Sequence, residues 1–223
     1  MPKFVLLLTA AATILSASLK AQLVNPSAVT IRVYNGFGVP LRQLKEAQRS
    51  ADTIFENAGL APAWRECRTP QGPSAKSSDM CADVLGSSEL IVRIVAAPSS
   101  LNNDDFALGY SHVDAGAGAG TLSTVFADRA SIMSRHLGVD MFVVLGRVIA
   151  HEVGHLLMGT MTHSSDGLMR ERWSGDALPF TGKKDWLFSE REIAFLHQGL
   201  LARQQGLPLP VINLAERTSR ITP

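Results

Sequence analysis

Cysteine is scarce. The chain of 223 residues carries two, Cys67 and Cys81. They form no Cys-x-x-Cys pair, which argues against the two as zinc ligands. Aromatic residues make up 6% and charged residues 18%, and the formal net charge is +1. No basic stripe or acidic run stands out, so nucleic acid is not expected as a partner. No internal repeat occurs. The glycine-rich run Asp114-Ala-Gly-Ala-Gly-Ala-Gly120 lacks the Gly-Lys-Ser/Thr ending of a phosphate loop and reads as a turn. The apolar stretch near the N-terminus, Phe4 to Ala17, falls short of the roughly twenty residues that a spanning helix needs.

That stretch reads instead as part of a targeting segment. Lys3 precedes it, small residues follow, and a cut after Ala21 is expected. Residues 1–21 are then a signal peptide and 22–223 one exported domain, secreted or periplasmic, with no stable membrane insertion after cleavage. An uncleaved signal anchor is the alternative. No cysteine lies near the cut, so a lipid anchor is not suggested. In an oxidising compartment Cys67 and Cys81 are expected to form a disulfide. It would close a loop of about fifteen residues, for a contribution on the order of 3 kcal/mol. The enclosed segment, Arg68 to Ser78, is polar and turn-rich and gains from being tied. At 46% hydrophobic, the chain can build one good core.

Along the exported part, Val29–Tyr34 alternates and is rich in β-branched residues, a strand pattern. Pro40–Ala58 repeats apolar residues at helical spacing (Leu41, Leu44, Ala47, Ala51, Ile54, Phe55, Ala58), with Gly59 to close it. Leu60–Cys67 reads as a strand interrupted by Pro62, and Glu89–Ala96, Phe106–Val113 and Thr121–Ala127 as further strands. Met141 begins a long apolar helix, with Asp140 as N-cap and Gly159 as C-cap. A last helix opens at Ser189 with Glu192 as its capping-box partner and runs to Gly206, with Ile193, Leu196, His197 and Leu200 on its apolar face. An extended tail follows from Leu207 to Pro223. This order implies a single α+β domain with a mixed sheet.

The chemistry concentrates between His151 and Met169. His151-Glu-Val-Gly-His155 places two histidines four apart, so on a helix both imidazoles project from one face. Two neutral imidazoles at that spacing can occupy adjacent corners of a tetrahedral zinc site. Glu152, beside the first, can reach a water on the metal without binding the metal. Val144 and Val148 carry the same face into a packed core. A solvated helix with incidental histidines is the bland alternative, but apolar surroundings would leave two histidines and a glutamate without partners. A third histidine, His163, and Met169 follow. Asp166, Glu171, Glu190 and Glu192 compete with His163 as third ligand, the last two being better explained by the capping box. His112, His136 and His197 require no functional role. Asn102-Asn-Asp-Asp105 lacks the spacing of a calcium loop and reads as a turn.

His-Glu-x-x-His, a glycine, a third histidine and then a methionine resembles the metzincin clan of zinc endopeptidases. Thr162-His-Ser-Ser-Asp-Gly-Leu-Met169 is similar to the matrixin run from third ligand to methionine turn. The resemblance implies that His151, His155 and His163 bind Zn2+, that Glu152 is the general base, and that Met169 forms a hydrophobic floor beneath the metal. It also implies an edge strand above the cleft that pairs with substrate. Gly109-Tyr-Ser-His-Val113, with Gly109, Tyr110 and Ser111 at its start, is the candidate. The spacing departs from the clan: three residues, not two, separate His155 from Gly159 and Gly159 from His163.

The expected function is that of a secreted zinc-dependent endopeptidase acting on peptide or protein through a water on the metal. Two alternatives remain: a non-catalytic exported binding protein that keeps a structural zinc site, and a zinc amidase acting on a non-peptide or cell-wall amide. No tyrosine follows the motif to serve as an oxyanion donor, which leaves Arg170 and Arg172 as candidates. The short stretch between Ala21 and the first strand implies synthesis without a zymogen stage. No oligomeric state is implied.

Overall fold

The structure, a computed structural model, is described over residues 27–67, 81–99, 107–114, 119–173 and 183–209. The targeting segment, the Asn102–Asp105 cluster, the middle of the glycine run and the tail beyond Leu209 lie outside the described residues.

Alternating β-branched residues make β1 (Ala28–Asn35) a central strand whose Val29, Ile31 and Val33 are buried. Helix α1 (Leu41–Asn57) returns the chain to β2 (Ala61–Cys67), which pairs with β1 in parallel. Pro62 is tolerated because β2 is an edge strand among the described strands, with one side of its backbone paired by none of them. β3 (Glu89–Val95) adds in parallel on the other side of β1, and β5 (Ala119–Phe126) in parallel on β3. β4 (Gly109–Asp114) pairs antiparallel with β5 and forms the second edge. The order is therefore β2-β1-β3-β5-β4, a mixed sheet in an α+β fold, as the sequence implied.

Helix α2 (Ala127–Leu137) leads from β5 into α3 (Met141–Met158). The sequence reading passed from the Thr121–Ala127 strand straight to α3 and missed α2. Most of the buried positions of α2 are small or polar, Ala127, Arg129, Ala130 and Ser134, so its apolar period is faint. Asp140 does stand at the N-cap of α3, but its side chain makes no capping bond there. α3 packs against α1, α2, α4 (Glu190–Gln205) and strands β4 and β5, which explains its apolar run. Two glycines let neighbouring backbones approach it. A Cβ on Gly146 would lie 2.4 Å from the Ala47 carbonyl oxygen of α1, and one on Gly199 of α4 would lie 1.8 Å from that of Leu157. The capping box of α4 forms as expected, with Ser189 and Glu192 capping each other reciprocally.

Cys67 and Cys81 are joined by a disulfide, with Cα atoms 5.7 Å apart. The bridge ties the end of β2, the edge opposite β4. The Arg32 guanidinium secures the returning chain by donating to the carbonyls of Cys81 and Asp83 at 3.2 and 2.8 Å and by pairing with Glu89.

Candidate metal centre

α3 carries His151, Glu152 and His155 in its last two turns, all buried. Gly159 stops the helix in the left-handed region, at φ 66°, and its N–H bonds to the His155 carbonyl at 2.9 Å. The chain then reverses through Thr160–Thr162, where the Thr162 N–H donates to Thr160 Oγ1 at 3.2 Å. This return delivers His163. His155 Nε2 lies 3.0 Å from His151 Nε2 and 3.3 Å from His163 Nε2. One ligand atom from each of the three histidines falls within 4.8 Å of the others.

The hydrogen bonds on the far side of the rings decide what those nitrogens can do. His151 Nδ1 sits 2.9 Å from the Leu168 carbonyl and His155 Nδ1 2.8 Å from the Thr160 carbonyl. A carbonyl only accepts, so each Nδ1 donates, and the Nε2 of a neutral ring is left with a lone pair. Neutral the rings are. Burial pushes His151 down to about 4, against the pull of the Leu168 bond. Burial likewise holds His155 well below the usual imidazole range. The His163 ring is also lowered by burial, with Glu171 opposing. Convergent lone pairs at 3.0 Å repel unless a cation sits among them. The donor set therefore fits a metal ion.

The remaining candidates for third ligand stand elsewhere. Among the described residues the group able to hold a metal consists of His151, His155 and His163. Asp166, Glu171 and Glu190 are exposed. Glu192 is buried and spent on the cap: one oxygen accepts the Ser189 N–H at 2.7 Å, and the other accepts the hydroxyl of Ser164, next to His163.

Glu152 is 4% exposed, and burial pushes its carboxyl up to about 8 against the pull of a bond from Ser111. Met169 is fully buried in a turn closed by the Ser164 N–H donating to its carbonyl at 2.9 Å. Its Sδ lies 2.9 Å from where a Cβ on Gly154 would be, so it packs on α3 between the two histidines of the motif. The same turn supplies the Leu168 carbonyl that orients His151, which couples the turn to the ligand.

β4 runs beside α3 with its outer edge unpaired by any described strand. Gly109 and Ser111 face Glu152, while Tyr110 points the other way and is exposed. Arg170, considered as an oxyanion donor, instead holds its own loop, donating to the carbonyls of Gly167 and Asp185 at 2.8 and 2.6 Å. Arg172 is exposed. His197, half-buried, bonds to the Ala58 carbonyl at 2.7 Å, which accounts for it.

Sequence reasoning missed the aromatic wall beside the histidines. The Trp173 indole meets the His151 ring edge to face at 5.8 Å, Trp186 meets Trp173 at 5.1 Å, and the Arg147 guanidinium lies 3.8 Å above Trp186. Arg147 is four residues before His151 and so shares its face, which was a usable signal. The tryptophans come from an irregular stretch, where no periodicity announces a partner.

An α+β domain built around a three-imidazole group able to hold a metal is what the fold and site define. No family model matches the chain, and neither does any curated protein. Among solved structures, it is similar to the archaemetzincin of Methanopyrus kandleri at 16% identity, over 80% of this chain and 98% of that one, with a TM-score of 0.48. It is also similar to a zinc-dependent peptidase of Methanocorpusculum labreanum strain Z at 14% identity, over 74% of this chain and 99% of that one, with a TM-score of 0.47.

Proposed function

We propose that the protein is a secreted zinc-dependent endopeptidase. The observation that carries this reading is the convergence of three Nε2 atoms, those of the buried His151 and His155 left with lone pairs by their carbonyl-bonded Nδ1 atoms and that of the half-buried His163 beside them. Three neutral imidazoles suit zinc, and a zinc held by His151, His155 and His163 would have room for a water. When bound, zinc supplies a Lewis acid that polarises the scissile carbonyl and acidifies the attacking water.

The chain's own residues do the rest. In its ionised form Glu152 takes a proton from the water and returns it to the leaving nitrogen. The outer edge of β4, which no described strand covers, offers main-chain groups to an extended peptide, which suits cleavage within a chain rather than at its end. Met169, buried against Gly154 of α3, would form the hydrophobic floor of the site. The disulfide favours an oxidising compartment, in keeping with residues 1–21 acting as a signal peptide.

The test is metal analysis together with digestion of a peptide library, with Glu152→Ala as control. The expected result is one zinc per chain in both proteins and cleavage by the parent alone. A parent that holds zinc and cleaves no peptide points to the binding-protein or amidase reading. A parent that holds no divalent metal overturns the proposal at its root.

A further inference from the structure

A glutamate that moves protons must be held in one place, and its three rotatable bonds work against that. Glu152 is held from β4. Ser111 Oγ lies 2.7 Å from Glu152 Oε2 and 2.8 Å from the main-chain oxygen of the same residue. One hydroxyl thus spans the head and the carbonyl of a single glutamate and selects one side-chain conformation. Gly109, two residues earlier and on the same strand face, leaves the space this requires. A Cβ there would stand 2.8 Å from Glu152 Oε1 and 2.7 Å from the Thr124 carbonyl oxygen. The hydroxyl carries one proton: with the carboxyl protonated it accepts from Glu152 Oε2 and donates to the carbonyl, and with the carboxyl ionised it donates to one of the two oxygens.

We infer that Ser111 is a positioning residue that seats the Glu152 carboxyl against the strand on which substrate is aligned. The inference rests on the peptidase reading above. It gives β4 two tasks on two sides. Its outer backbone edge would register the peptide, and its inward side chains register the base, so one rigid element sets the distance between them. The interval from Gly109 to Ser111 is then a constraint on chemistry and not only on packing.

The test uses the full-length, zinc-loaded protein. Ser111→Ala is expected to lower kcat roughly tenfold to a hundredfold, with KM and zinc affinity unchanged. Ser111→Thr, which keeps the hydroxyl, should recover most of the loss. An unchanged kcat in Ser111→Ala, or a loss matched by lost zinc affinity, overturns the inference. A second readout needs no turnover. In protein labelled with 13C at glutamate carboxyls, the Glu152 resonance, assigned by its absence in Glu152→Gln, should shift in Ser111→Ala and return in Ser111→Thr. If the parent cleaves nothing yet this shift appears, the peptidase reading fails while the seat stands. If no shift appears, the seat fails.

Discussion

The carboxylate of Glu192 grips the hydroxyl of Ser164, and so fastens the start of α4 to the loop that carries His163. A capping residue normally serves its own helix. Here its second oxygen reaches across to the residue next to a metal-facing histidine. Ser164→Ala removes that link and leaves the capping box whole. We expect it to weaken zinc binding roughly tenfold, the scale at which supports of a ligand act, with little change in thermal midpoint. Glu192→Ala should weaken zinc binding at least as much and also cost about 1 kcal/mol of stability through the lost cap. Chelator competition and thermal unfolding separate the two effects. Parent-like zinc affinity in Ser164→Ala would mean that His163 is held by other contacts.

The buried titratable groups make the metal-free protein sensitive to pH in two opposing directions. His151 titrates near 4 in the fold against 6.5 when free. In that window the unfolded chain holds a proton that the folded chain refuses, so stability falls as pH drops. His155 and His163 are depressed as well and act the same way. Glu152 is raised to about 8 from 4.5, so the folded chain holds a proton that the unfolded chain has lost. Its contribution therefore falls as pH rises between those values. Below 6.5 three imidazoles oppose one carboxyl; above it, the carboxyl acts alone. Denaturant unfolding of metal-free protein at about pH 5, 6.5 and 8 should find a maximum near the middle value. Glu152→Gln should flatten the alkaline side only. A profile that rises steadily to pH 8 would contradict the buried state of Glu152.

How far the sequence could be read depended on the range of the interactions involved. The register of α3, the capping box at Ser189 and the pairing of Cys67 with Cys81 follow from spacings of a few residues or from chemistry with one available partner. α2 escaped notice because its core face is made largely of alanine, serine and arginine, which carry little hydrophobic contrast. The Ser111 side chain could be placed on β4, but which face of β4 meets α3 is a tertiary fact. The stack from Arg147 through Trp186 and Trp173 to His151 joins segments nearly forty residues apart, with no local pattern to announce it. The double role of Glu192 was hidden for the opposite reason. The capping motif accounted for it fully, and nothing local called for a second partner.

The lengthened spacing poses the sharpest question of this kind, and the loop answers it by compensation. One more helical residue after His155 turns the exit by about 100° and advances it about 1.5 Å. One more residue after Gly159 then supplies the chain needed to come back, through Thr160, Met161 and Thr162. Met161 is 45% exposed, so its side chain contributes little and its backbone unit is what counts. Deleting Met161 shortens the span by up to about 3.5 Å and removes the contact between Thr160 and Thr162. His163 Nε2 could then no longer stand 3.3 Å from His155 Nε2. Deletion should leave a folded protein, by circular dichroism, whose zinc affinity has dropped more than about a hundredfold. Met161→Ser should bind zinc as the parent does. Equal affinity in the deletion variant would show that His163 can reach the cluster from a shorter loop, and the extra helical residue would then need no counterpart.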